Sequence, residues 1–176
     1  MPAVRLLAGG IALEDLFDYE ICNDRYRPIA EGLIRKYEEL RHIDPDSILF
    51  LLNRKAAGKS SRHKVRLAET SKVPPKWQQV LYQQGGLTYF YLVEFYEKSI
   101  SCLDENQMKA LIYRELRRIS LTGKVVAPDV HEWYQILEGL GRHWFYPEAT
   151  CPDLLADDVD WKKLMGSSFE RPVAEE

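Results

Sequence analysis

The 176-residue sequence is poor in the features that would place it in a specialised class. It has three cysteines, Cys22, Cys102 and Cys151, an odd and widely spaced set that fits neither a disulfide framework nor a CxxC metal knuckle, so a reduced, cytoplasmic compartment is expected. Apolar runs such as "ILFLL" at 48–52 fall far short of the roughly 20 residues that a membrane-crossing helix needs, and no membrane span is expected. Charge of one sign is not in excess: 24 Lys and Arg stand against 27 Asp and Glu, and a net charge of -3 gives no general attraction to nucleic acid or an anionic membrane. The opening "MPAVRLLAGGIALEDLF" runs into Glu14 and Asp15 without a small-residue cleavage site, which argues against a secretion signal. No internal repeat is visible.

What is present is 45% hydrophobic content, enough for one ordinary globular domain with one core. Between Tyr26 and Arg41, Ile29, Leu33, Ile34, Tyr37 and Leu40 recur at helical spacing, and Pro45 closes that stretch because the residue before a proline is pushed out of helical geometry. "SILFLLN" at 47–53 has the continuous apolar character of a strand covered on both faces, and "HKVRLAETSKV" at 63–73 alternates as a half-exposed partner would. A short helix, "WQQVLYQQ", ends at Gly85 and Gly86, and "LTYFYLVEFY" at 87–96 reads as a central strand. The next helix, over 103–120, opens with Asp104 as N-cap and Gln107 three residues on, a capping box. Its inward stripe is Met108, Leu111, Ile112 and Ile119, with Glu115 on the same stripe. A last helix is expected over 128–141, with Pro128 in its first turn and Val130, Trp133, Leu137 and Leu140 inward. The pattern gives an α+β fold: an N-terminal helix, a small sheet of about three or four strands, and two C-terminal helices. Residues 1–25 are an expected extension, 26–146 the domain, and 147–176 an acidic arm anchored around Leu154 and Trp161.

Three motifs carry weak chemistry. "GKS" at 58–60 ends like a phosphate-binding loop, but the required glycine at 53 is Asn and a strand follows. The same loop holds Arg54, Lys55, Lys59, Arg62, Lys64 and Arg66, a basic patch for nucleic-acid phosphates in one reading and a solvated hairpin loop in the other, which is favoured because no aromatics interleave with the charges. "HEWYQ" at 131–135 is half of the HExxH zinc signature with Gln135 in place of the second histidine. His42, His63 and His143 share no ligand spacing with it.

Three segments, "LVEF" at 92–95, "LDENQMKALIYRELRRI" at 103–119 and "PDVHEWYQIL" at 128–137, together resemble the phage metallopeptidase domain family, a zincin-like group found in phages and mobile elements. The resemblance covers residues 26 to 140. In that family a "VIEF"-like strand leads to an "LTxEQxxALLxHELxH" helix and then to an "HDVEEF" segment that supplies a third histidine. Carried over one position at a time, the metal histidines fall on Arg114, Arg118 and Pro128, and the general-base glutamate on Glu115. Only the glutamate is kept. A guanidinium offers donors and no lone pair, and a divalent ion about 4 Å from one would feel about 8 kcal/mol of repulsion at an effective dielectric of about 20.

The resemblance therefore implies a relict general base without a metal and without a cofactor, in a non-catalytic relative of phage or mobile-element origin whose partner is another protein or a peptide segment. Arg114 and Arg118 are expected to bind Glu115 in a salt-bridge network completed by Asp129 and Glu132. Two alternatives stand beside it. One is a hydrolase rebuilt around Glu115 with help from His131, Asp129 or Glu132; the other is a nucleic-acid binder using the 53–66 loop.

Overall fold

The computed structural model describes residues 18–55, 66–128 and 132–164. Its contacts gather into two compact units: residues up to 26 with 46–101, and residues 27–45 with 102 onward. Among the described residues no helix is long and apolar enough to cross a membrane.

The first unit holds a four-stranded sheet of β1 (Tyr19–Ile21), β2 (Ile48–Asn53), β3 (Ala68–Lys72) and β4 (Tyr91–Tyr96), in the spatial order β1-β2-β4-β3. β2 and β4 run parallel, with Ile48 opposite Tyr91 and Asn53 opposite Tyr96, while β1 and β3 pair antiparallel on the outside. The two strands that are apolar on both alternations are the two inner ones, as burial on both faces requires. On one face Phe50 and Phe95 stack with ring centres 6.3 Å apart, and Tyr26 tilts onto Phe95 at 4.7 Å. On the other, Leu81 of helix α2 (Pro75–Gly85) and Leu92 pack against the cluster of Leu49, Val73 and Tyr89.

Two expectations are corrected here. β3 pairs with β4 and not with β2, so β2 and β3 do not form the expected hairpin. The doubly apolar β2 needs a neighbour on each side, and β1 and β4 take those places. β1 itself lies within the stretch expected as an extension; three exposed residues leave no hydrophobic pattern to read.

Helix α1 (Asn23–Lys36) starts three residues before its apolar spacing does. The Asn23 side chain accepts from Phe50 N at 2.8 Å and donates to Tyr89 Oη at 3.2 Å, a tie to β2 that helical periodicity does not register. α1 also ends earlier than expected: Tyr37 is extended, and Glu38–Leu40 form a single 3-10 turn. A four-residue helix, α3 (Glu97–Ile100), follows β4.

In the second unit, α4 (Glu105–Leu116) begins with the expected capping box, Asp104 accepting from Gln107 N and Gln107 Oε1 accepting from Asp104 N, both at 2.8 Å. Such a cap contributes about 1 kcal/mol. Gln107 also donates through Nε2 to Trp144 O and Tyr146 O, which secures the chain after α5. α4 stops at Leu116, earlier than expected, and Arg117 and Arg118 lie in the turn that follows. That turn leads to a bridge between Ile119 and Val125 through Gly123, whose φ of 69° favours glycine.

The last long helix is corrected more strongly. It is α5 (Tyr134–Gly139), with Trp133 as N-cap, and Pro128 precedes it in non-helical chain. Val130, expected on its inward face, lies outside the described residues, and the fully buried residue of α5 is Ile136 rather than Leu137 or Leu140. α6 (Trp161–Leu164) approaches so closely that a methyl group on Gly139 would sit 2.6 Å from the Trp161 ring. Leu154 and Trp161, the expected anchors of the acidic arm, are both buried.

Candidate functional site

Glu115 lies on the last turn of α4 and is 0% exposed. The helical stripe places it there: Met108, Leu111 and Ile112 on the same face are buried too. A lone carboxylate so placed would be unstable, and two guanidinium groups meet it. Arg114 Nη1 donates to Glu115 Oε1 at 2.7 Å, and Arg118 Nη1 stands 3.5 Å from Oε2. Arg114 Nε is 2.6 Å from Glu132 Oε2, an ion pair whose N–H is not aligned for a hydrogen bond. Arg118 Nε is buried without a hydrogen-bond partner. Burial pushes the Glu132 carboxyl above its ordinary value, against the pull of Arg114 and of the Trp133 backbone N–H. Asp129 and His131, expected beside this cluster, lie outside the described residues.

Several participants had no signal in the sequence. Trp133 Nε1 donates to Arg114 O at 3.0 Å, and the Arg117 guanidinium sits 4.8 Å over the Trp133 ring. Arg117 also donates to Gln135 Oε1 and, at 3.3 Å, to Tyr113 Oη, and Tyr113 in turn donates to Glu39. Burial first, and then Glu39, raise the Tyr113 phenol well above its usual range, so it stays a donor. Only the half-motif "HEWYQ" drew attention to Gln135, and it did so for a metal role, whereas the amide here serves Arg117.

The described residues of the basic patch belong to the first unit. Of the basic patch, Arg54 pairs with Glu20, Lys55 with Asp18 and Arg66 with Glu69, while Lys59, Arg62 and Lys64 lie outside the described residues. His42 lies in the second unit, its Nε2 2.8 Å from Ile119 O. Burial pushes the Cys22 thiol up to about 12 and the Cys151 thiol up to about 11, so neither is a nucleophile at neutral pH.

A family model described as "Putative phage metallopeptidase" matches residues 17–168. The chain belongs to that family. No curated protein and no solved structure matches it.

A metallopeptidase fold calls for a metal ion, and the described residues around Glu115 do not fit one. Arg114 and Arg118 present N–H groups and positive charge where an ion needs lone pairs. Among the described residues, no group of three or more His, Cys, Asp or Glu side chains is placed to hold a metal. As a chemical device the cluster pairs the Glu115 carboxylate with two guanidinium groups and ties Glu132, just before α5, to α4. Both Glu115 oxygens face guanidinium groups, Oε1 toward Arg114 and Oε2 toward Arg118.

Proposed function

We propose that this chain is a metal-free member of the phage metallopeptidase family that acts by protein contact and not by hydrolysis. The observation that carries it is Glu115, fully buried between Arg114 and Arg118. In the family pattern these two arginines occupy the histidine positions on either side of the general base, and Pro128 occupies the third. The guanidinium groups supply the positive charge that a cation would otherwise bring to the carboxylate, so the helix keeps its relict glutamate without an ion. What stays usable is the surface that the fold holds in shape, for a protein or peptide segment as partner.

Metal analysis tests this directly. Protein purified in the presence of zinc and then dialysed is expected to carry far less than one zinc per chain; a stoichiometric ion that survives dialysis overturns the proposal.

A further inference from the structure

We infer that residues 1–17 fold back over the open end of the sheet in the first unit and cover Ile21 and Leu51, so that this apolar face is closed by the chain itself and withheld from a partner or a second copy. The cover goes beyond the contact function proposed above and does not depend on it.

β2 and β4 are apolar on both alternations, so each face of the sheet needs a cover. Register shows what the cover must reach. Opposite residues on paired strands share a face, which puts Ile21, Leu51 and Glu94 in one row and Leu49 and Leu92 in the next, all on the face that α2 approaches. α2 covers one end of that face, through Leu81 against the cluster of Leu49, Val73 and Tyr89, and buries no residue of its own. At the other end the described residues leave Ile21 58% exposed and Tyr19, two residues back on the same side, 47% exposed. Leu51, on an inner strand, is only half-buried there.

Place, length and composition name the occupant. The chain enters β1 at Asp18, where Arg54 N donates to Asp18 O at 2.8 Å and Lys55 Nζ pairs with Asp18 Oδ2 at 2.7 Å. Residues 1–17, outside the described part of the chain, join the sheet at that point, on the edge strand that carries Tyr19 and Ile21. Their sequence ends in Leu13, Leu16 and Phe17 at helical spacing, with Glu14 and Asp15 on the opposite side of that pattern. Reach is ample: seventeen residues span about 25 Å even as a helix, against about 10 Å across two strand spacings from β1 to β4. Tethering favours this segment over a free chain, because a short link at the edge of the face holds it at about millimolar effective concentration, against which a second copy or a separate protein has to compete.

The test uses the full-length chain with ¹³C-labelled isoleucine and leucine methyl groups and an uncharged soluble gadolinium chelate, which speeds the relaxation of methyls it can approach. Leu121, 83% exposed, and Ile48, 0% exposed, set the two ends of the scale. A bare Ile21 relaxes nearly as Leu121 does; beneath the cover, the enhancement at Ile21 and Leu51 is expected to be at least about threefold smaller than at Leu121. This protection is expected to persist on about tenfold dilution, since a cover from the same chain does not depend on concentration. Leu13→Asp with Leu16→Asp is expected to lift it while Ile48 stays shielded. If Ile48 opens as well, the chain has unfolded, and the milder Leu13→Ala with Leu16→Ala is read in its place. Ile21 relaxing as Leu121 does overturns the proposal. Protection lost on dilution also overturns it, a second copy then being the occupant, and so does protection that survives in the folded variant, since something other than residues 1–17 then lies on the face.

Discussion

Arginine meets carboxylate in two regions of this molecule. Beside the sheet, the Arg66 and Glu69 side chains are 52% and 42% exposed; at the end of α4, Arg114 and Glu115 are 20% and 0% exposed. Both pairs stand at 2.7 Å, so distance does not distinguish them. Water does. Near the surface, solvent solvates each partner almost as well as the other does, and such a pair contributes about 0–1 kcal/mol. Inside, the pair gives back little more than its desolvation cost, yet removing one member strands the other, at about 3–5 kcal/mol. The α4 cluster is therefore a device that fixes one arrangement of α4 and α5 and punishes departures from it, more than a source of net stability.

The sharpest way to break the contrast is Glu115→Gln, which takes the Glu115 carboxylate from Arg118 and leaves Arg114 with Glu132 alone; thermal unfolding is expected to show a loss of about 3 kcal/mol. Arg114→Met comes next, at about 2 kcal/mol, because Glu115 keeps Arg118 while Glu132 loses the cation that stands 2.6 Å from it. Combining Glu115→Gln with Arg118→Met is expected to fall short of the sum of the single effects by about 1 kcal/mol, and strict additivity would show that the two side chains act independently. Glu132 sets a pH signature. Its folded value is raised from 4.5, so the folded state holds a proton that the unfolded chain has released. The stability of the native chain relative to Glu132→Gln is thus expected to fall as pH rises above 4.5, as melting curves of the two proteins over that range would reveal. Arg66→Ala is expected to change stability by less than about 0.5 kcal/mol. A larger loss there would erase the difference between the two regions.

Parts of this structure were legible in the sequence and others were not. Asp104 and Gln107 announced the start of α4 because a cap is a local bargain between neighbours three residues apart. The burial of Glu115 followed from helical spacing, since Leu111 and Ile112 one turn away set the direction of the stripe. The start of α1 was misread because Asn23 is held by Phe50 and Tyr89, far along the chain. The length of α5 was misread as well: Pro128 and the glycines marked plausible ends, but the helical part begins only after Trp133, whose indole binds the backbone of Arg114. No sequence rule connects Glu39 with Tyr113, which lie 74 residues apart and meet through a hydrogen bond.

By itself the sequence determined the two inner strands and the start of α4, and it put an acid on a buried stripe between arginines, because periodicity and capping act over three or four residues. Only the tertiary structure decided the strand order, the partners of Arg117, and the sheet face that α2 covers at one end. Pairing and desolvation depend on which distant groups share a place, and chain order does not encode that distance.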